Sequence, residues 1–320
     1  VPEKHAKSVD LTPKPGPEHT DDPSGVLIVG CGYLGAEVAR MAAERGFSVW
    51  ATTRSPDRAR QFESLGWNPV VCDWTLSQTL ANLPKVDRVL VAVSYDRASG
   101  LDRYDSQVGG LRNLLAVLPT QTRLCYISTT GVYHQTDGRW VDETSPTHPG
   151  RLGGSVHLAA EQQLHRDRPL SPWMVLRLAG IYGIGRVPRA RDVIRGKPIQ
   201  SPAEGYLNLI HVHDAARCVM AAWDKMSGAN APWHPTLSRR LYAVADDCPM
   251  PRGEFYREIA RQTGSPMPRF ESPPPGSSIS MRSESNKRIW NRRMKSDLLP
   301  RLQFPDYRCG LASVLPSVLQ

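Results

Sequence analysis

Three glycines carry the plainest chemistry in this chain. Gly30-Cys31-Gly32-Tyr33-Leu34-Gly35 has the spacing G-x-G-x-x-G, preceded directly by the apolar run Val26-Leu27-Ile28-Val29 and running into a helical pattern. In that context each glycine has its own task. Gly30 permits a tight turn, Gly32 lets backbone approach a pyrophosphate, and Gly35 lets helix pack closely on strand. The helix N-terminus then offers unpaired N–H groups and a positive dipole end to phosphates. The motif predicts a bound dinucleotide. At the tip of the next strand, Ala51-Thr52-Thr53-Arg54-Ser55 has no carboxylate for a ribose 2′-hydroxyl, and Arg54 stands where a 2′-phosphate needs a partner. Arg58 and Arg60 lie close by, whereas Asp57 is within reach of a ribose. The reading leans to NADP and leaves NAD open.

The elements that must position this turn alternate along the chain. Strand patterns at 26–29, 48–53, 70–72, 86–93, 124–128 and 174–178 are interleaved with helical patterns at 34–45, 56–65, 105–118 and 155–165. Such alternation predicts an α/β fold, a doubly wound parallel Rossmann sheet with helices on both faces. Beyond residue 180 proline and glycine become frequent, and 225–238 and 265–278 read as loops. The expected organisation is a flexible tail at 1–24, an NAD(P)-binding domain at 25–180 with a returning segment near 208–224, and a smaller C-terminal substrate lobe within 181–320.

Composition narrows the function classes. A chain of 320 residues, 40% hydrophobic and 22% charged, is an ordinary globular sequence. No apolar run approaches a bilayer span, so no membrane is expected. The net charge of +9 is spread along the chain, and its densest cluster, KRIWNRR at 287–293, accompanies no nucleic-acid motif. Nucleic acid is therefore not the expected partner; a small-molecule substrate is. Six scattered cysteines with no CxxC pair fit a reduced, cytoplasmic setting. His211 and His213 share a strand face but lack further ligands at useful spacing, so no metal is expected. Neither a Gly-x-Ser-x-Gly elbow nor a Walker loop is present.

Six stretches, in order and at matching spacing, make the chain resemble the extended short-chain dehydrogenase/reductase family, the NAD(P)-dependent epimerase/dehydratase group. They are VLIVGCGYLG at 26–35, CDW at 72–74, YISTTGVY at 126–133, VDETSPTHP at 141–149, LRLAGIYGIGR at 176–186 and NLIHVHDAA at 208–216. The resemblance implies that Tyr33 and Leu34 of the glycine turn and Ala92 and Val93 lie along the cofactor, with Asp73 facing the adenine. It places Leu178 to Ile181 beside the nicotinamide and Arg186 at the mouth of the substrate cleft. Thr129 takes the position of the family's catalytic Ser/Thr, four residues before Tyr133. A homodimer through two helices of the Rossmann lobe is the assembly it allows.

The resemblance fails at the proton-transfer pair. The family uses Tyr-x-x-x-Lys, and aligning on Ala160-Glu161 puts Gly153 and His157 in those places. Glycine has no proton to give. His157 could act as acid or base, because imidazole titrates near pH ~6.5, or it could only hydrogen-bond the cofactor ribose. Tyr133 or Tyr182 could bring a phenol from elsewhere in the cleft, or be packing residues. The resulting expectation is an NAD(P)-binding oxidoreductase or epimerase/dehydratase-like protein acting on a polar, sugar-like hydroxyl or carbonyl. In it Thr129 orients the oxygen and His157 or a tyrosine handles the proton. The rival is a non-catalytic NADP sensor that binds a partner through its second lobe.

Overall fold

Strand β1 (Asp22–Val29) sends Val26 and Ile28 into one apolar layer and Leu27 and Val29 into another, so it is buried on both faces. A strand without a polar face belongs inside a parallel sheet covered by helices on each side. The computed structural model describes residues 22–228, 233–274, 276 and 284–319. The expected tail falls outside these residues up to position 21, and Asp22–Ser24 belong to β1.

Six more parallel strands complete the sheet: β2 (Val49–Thr53), β3 (Asn68–Val71), β4 (Val86–Val91), β5 (Arg123–Thr129), β6 (Trp173–Leu178) and β7 (Leu241–Val244). Their spatial order is β7-β6-β5-β4-β1-β2-β3. The chain winds outward from β1 to β3, then crosses back to β4 on the opposite side of β1. Ligands of such sheets bind beyond the carboxyl ends of the strands at this reversal. Gly30 and Ala92 leave β1 and β4 at that point.

Helices α1 (Tyr33–Glu44) and α5 (Val212–Met226) share one face, contributing Val38, Ala42, Val219 and Trp223 to its core. The opposite face is covered by α3 (Gly110–Val117) and α4 (Leu152–Asp167), through Leu111, Leu114, Val156 and Leu164. On the flank, Ser55 caps α2 (Pro56–Ser64), its hydroxyl accepting the Arg58 N–H at 3.3 Å. The single helix expected over 105–118 is a π-turn at Asp105–Gly109 followed by α3, with Gly110 pressed on the Trp74 indole.

Beyond residue 178 the strand Gly180–Tyr182 pairs with Leu209–His211, and a second core gathers Tyr182, Val193, Phe255, Ile259 and Leu311 around α6 (Arg252–Thr263). Strand β7 returns from this region to the sheet edge beside β6, a pairing absent from the sequence reading. Among the described residues no helix is long and apolar enough to cross a membrane.

Candidate cofactor and substrate site

Backbone packing explains the glycine turn. Gly30 has φ +89°, and a Cβ there would lie 2.7 Å from backbone atoms of Ala92 and Val93. A Cβ on Gly35 would stand 2.6 Å from the Gly30 carbonyl oxygen. Gly32 differs: nothing lies within 4 Å of its Cβ position, and the residue lines two adjoining clefts. Helix α1 begins here with neither a capping side chain nor an acidic first turn. Two glycines are thus required by the fold, and the third bares backbone toward a helix N-terminus. That is a cradle a pyrophosphate fits.

The first cleft runs from the glycine turn over the tips of β2 and β3. Thr52 accepts the Gly30 N–H on its hydroxyl at 3.1 Å, tying β2 to the turn. Asp73 accepts both the N–H and the hydroxyl of Thr75 on one carboxylate oxygen, at 2.9 and 2.7 Å. Arg54 reaches across this cleft to Asp96 at 2.6 Å, with Asp73 at 3.8 Å. That hydrogen bond, together with the Ala98 N–H, holds the Asp96 carboxyl below the usual range. Arg54 thus lines this cleft and is shared between two carboxylates.

The second cleft continues past the ends of β4 and β5, where Tyr33, Leu34, Ala92, Val93, Ile181 and Arg186 meet. The Tyr33 hydroxyl donates to the Ile184 carbonyl at 3.0 Å, and the Arg186 guanidinium lies 5.4 Å from the Tyr33 ring centre. Leu178 is not brought there; it is buried in the core under α1 and α5. A third cleft opens beside it along Thr129, Gly131, Arg151 and Gly153. Thr129 accepts the Gly131 N–H on its hydroxyl at 3.0 Å. Tyr95, Arg103 and His157 line both the second and third clefts.

Two phenols considered from sequence stay out of these clefts. Tyr133 is buried with its hydroxyl 2.7 Å from Arg177 Nη1, and burial pushes the phenol up to about 12 against the pull of Arg177. Tyr182 is buried against Phe255, its hydroxyl facing Gly310. Tyr126 packs in the core, with its hydroxyl 3.1 Å from His157 Nδ1. His211 and His213 have structural partners. His211 accepts the His213 N–H at 3.2 Å, and His213 meets Glu37 at 2.9 Å.

Burial, with the nearby charge of Arg103, pushes His157 down to about 4. An unfolded imidazole titrates near pH ~6.5. Between those values the unfolded chain takes a proton that the folded chain refuses, so stability present above the window is lost as pH falls through it. His211, pushed down to about 4 chiefly by its own burial, adds to the same slope. His157→Gln is expected to flatten the fall in urea midpoint between pH 6.5 and 4; an unchanged slope would mean that His157 charges freely in the fold.

The feature sequence missed is Arg103. A Cβ on Gly153 would lie 2.5 Å from Arg103 Nη1, so this guanidinium occupies the space over Gly153 into which a larger side chain would project. Its spacing from Gly153 in the chain carries no motif, and only the tertiary placement of the loop before the π-turn brings them together.

The profile of the NAD dependent epimerase/dehydratase family matches residues 26–233. The chain belongs to this family. Among solved structures, this family member is similar to a functionally unknown conserved protein from Silicibacter pomeroyi DSS, with 30% identity, TM-score 0.72, and coverage of 91% of this chain and 98% of the other. It is equally similar to a protein from Methylobacillus flagellatus provisionally assigned as an NAD-dependent epimerase/dehydratase: 30% identity, TM-score 0.72, covering 93% and 100%. MoeE5 in complex with UDP-glucose and NAD shares the fold at 19% identity and TM-score 0.71, covering 92% and 98%. No curated protein matches the sequence.

Proposed function

We propose that this member of the epimerase/dehydratase family holds NADP along the first two clefts and acts on a hydroxyl or carbonyl of a polar, sugar-like molecule in the third. The observation that carries this reading is continuity. The clefts share Gly32 and Val93 at the glycine turn, and Tyr95, Arg103 and His157 where the second meets the third. A dinucleotide laid from Asp73 past Gly32 would bring its nicotinamide to the second cleft, between Ile181 and His157. The family assignment supports a bound dinucleotide, and MoeE5, which shares the fold, is in complex with NAD. When bound, the nicotinamide supplies or accepts a hydride.

The chain's own residues do the rest. Thr129 orients the substrate oxygen from one wall of the third cleft. His157, neutral at pH 7, accepts the Tyr126 hydroxyl on Nδ1 and donates a hydrogen bond from Nε2–H to the reacting oxygen, while that oxygen exchanges its own proton with water. Arg186, stacked on Tyr33, borders the entrance. Residues beyond 180 form the main part of the substrate lobe.

Arg54 decides the nucleotide. A 2′-phosphate takes its guanidinium from Asp96 and gains a fork geometry suited to oxyanions. NADPH is expected to bind about tenfold more tightly than NADH by titration calorimetry, and Arg54→Met to remove the difference, about 1.4 kcal/mol. Tighter binding of NADH overturns the NADP assignment. Failure of both nucleotides to bind overturns the whole reading.

A further inference from the structure

We infer that Arg103 anchors an oxyanion site: its guanidinium, held over Gly153 where the second and third clefts meet, grips a carboxylate or phosphate group carried by the substrate. That the anion belongs to a substrate rests on the function proposed above; the anion site itself stands on geometry alone.

Among the described residues, Arg103 lacks the oxygen acceptors that other arginines drawn into this fold have: Arg177 is bonded to Glu161 at 2.6 Å, Arg240 to the Pro169 carbonyl at 2.8 Å, and Arg252 to the Glu204 carbonyl at 3.2 Å. Arg103 is half-buried, and no carboxylate of the described residues pairs with it. It lies against the face of Tyr95, with the guanidinium carbon 4.5 Å from the ring centre. Withdrawing a cation from water is costly unless something pairs with it, and a ring face is a weaker partner than a carboxylate. The Tyr95 ring is itself held, its hydroxyl donating to the Leu101 carbonyl at 2.9 Å. The guanidinium is positioned with its N–H groups unsatisfied by any acid among the described residues.

The cavity itself is rich in cations. Arg97 and Arg151 also line the third cleft, against one carboxylate, Asp102. Asp102 is occupied by accepting the N–H groups of Tyr104 and Asp105 at 2.6 and 3.0 Å. The guanidinium groups lining this cleft outnumber its carboxylates, and that balance favours anions. A guanidinium can meet a carboxylate or a phosphate with two parallel hydrogen bonds.

Gly153 makes room for the guanidinium. At 2.5 Å from a Cβ on residue 153, Arg103 Nη1 leaves room there for hydrogen alone. Gly153 is thus part of the site, because any side chain pushes the guanidinium away. Alanine is a better helix former than glycine, so Gly153→Ala displaces Arg103 without removing a charge or weakening α4.

The test is calorimetric titration of the full chain, with and without saturating NADPH, using oxalate and inorganic phosphate as probes. Saturation with NADPH separates this site from the pyrophosphate cradle. At least one anion is expected to bind, and both Arg103→Met and Gly153→Ala to weaken it about tenfold or more. Arg166→Met, which removes an equal charge on the exposed side of α4 beside Asp167, should bind as the parent does. Tighter oxalate marks a carboxylate substrate, and tighter phosphate a phosphorylated one. Binding unaltered in Arg103→Met, or absent in the parent for both anions, overturns the inference. Binding unaltered in Gly153→Ala overturns the placement of the guanidinium over the helix. Arg103-dependent anion binding by protein that takes up no NADPH would leave this site standing and remove the cofactor reading instead.

Discussion

Glu161→Ala is expected to lower the unfolding free energy by about 3–5 kcal/mol, the range for breaking one side of a buried ion pair. Glu161 lies on α4 and Arg177 on β6, with side chains only 3% and 4% exposed. Arg177 donates to both carboxylate oxygens, at 3.0 Å from Nε and 2.6 Å from Nη2. Ser128 adds a third bond to the carboxylate at 2.6 Å, and Tyr133 takes the remaining guanidinium arm at 2.7 Å. Removing the carboxylate strands a cation that water cannot reach. Removing both charges does not, so the double replacement Glu161→Leu with Arg177→Met should cost less than Glu161→Ala alone. Urea midpoints at constant m-value measure both. A Glu161→Ala loss below about 1 kcal/mol, or a double variant less stable than the single, would show that the pair is not a closed unit.

The network matters to the site because of what it braces. Ser128, next to last in β5, lies at the second cleft, Thr129 ends the strand at the third, and His157 sits one turn before Glu161 on α4. The ion pair holds that helix and those strand ends together. Its loss is expected to disturb both clefts even where the chain still folds.

The sheet was legible because its strands carry their own signal. Runs such as Val26–Val29, closed by a glycine turn, need no partner to be recognised, and α1 ends as its pattern says, at Arg45 before Gly46 with φ +82°. Leu241–Val244 escaped because four apolar residues inside a proline-rich tract look like any loop; edge pairing to β6 alone makes them a strand. The π-turn at 105–109 escaped for the same kind of reason, since it answers to Trp74, which is remote in sequence. Site residues divide similarly. Gly30 and Gly32 lie in the turn between β1 and α1, and Arg54 follows β2, the next strand, so their geometry is set within one continuous stretch of chain. Arg103 over Gly153 and Tyr133 on Arg177 are set by how separate elements dock, and residue type does not encode that. Tyr133 could be read as a candidate phenol only while Arg177 had no visible partner.

Gly30→Ala is expected to weaken NADPH binding by at least about a hundredfold, 2.7 kcal/mol, and to destabilise the fold as well. The left-handed φ of +89° costs a non-glycine residue about 1–3 kcal/mol. The added methyl also meets the Ala92 carbonyl carbon and Val93 N and Cα at 2.7 Å, all backbone atoms that cannot rotate aside. The ends of β1 and β4 must then part, and those ends are the floor of the proposed cofactor cleft. Gly32→Ala separates the two effects. Gly32 has φ −89° and open space around its Cβ position, so its stability should stay within about 0.5 kcal/mol of the parent. The methyl would project where phosphates are proposed to approach, weakening NADPH about tenfold or more. Calorimetric affinities and urea midpoints on the two variants tell packing from contact. If Gly32→Ala binds NADPH as the parent does, the pyrophosphate does not approach that backbone. If Gly30→Ala does, the contact between β1 and β4 is not what shapes the cleft.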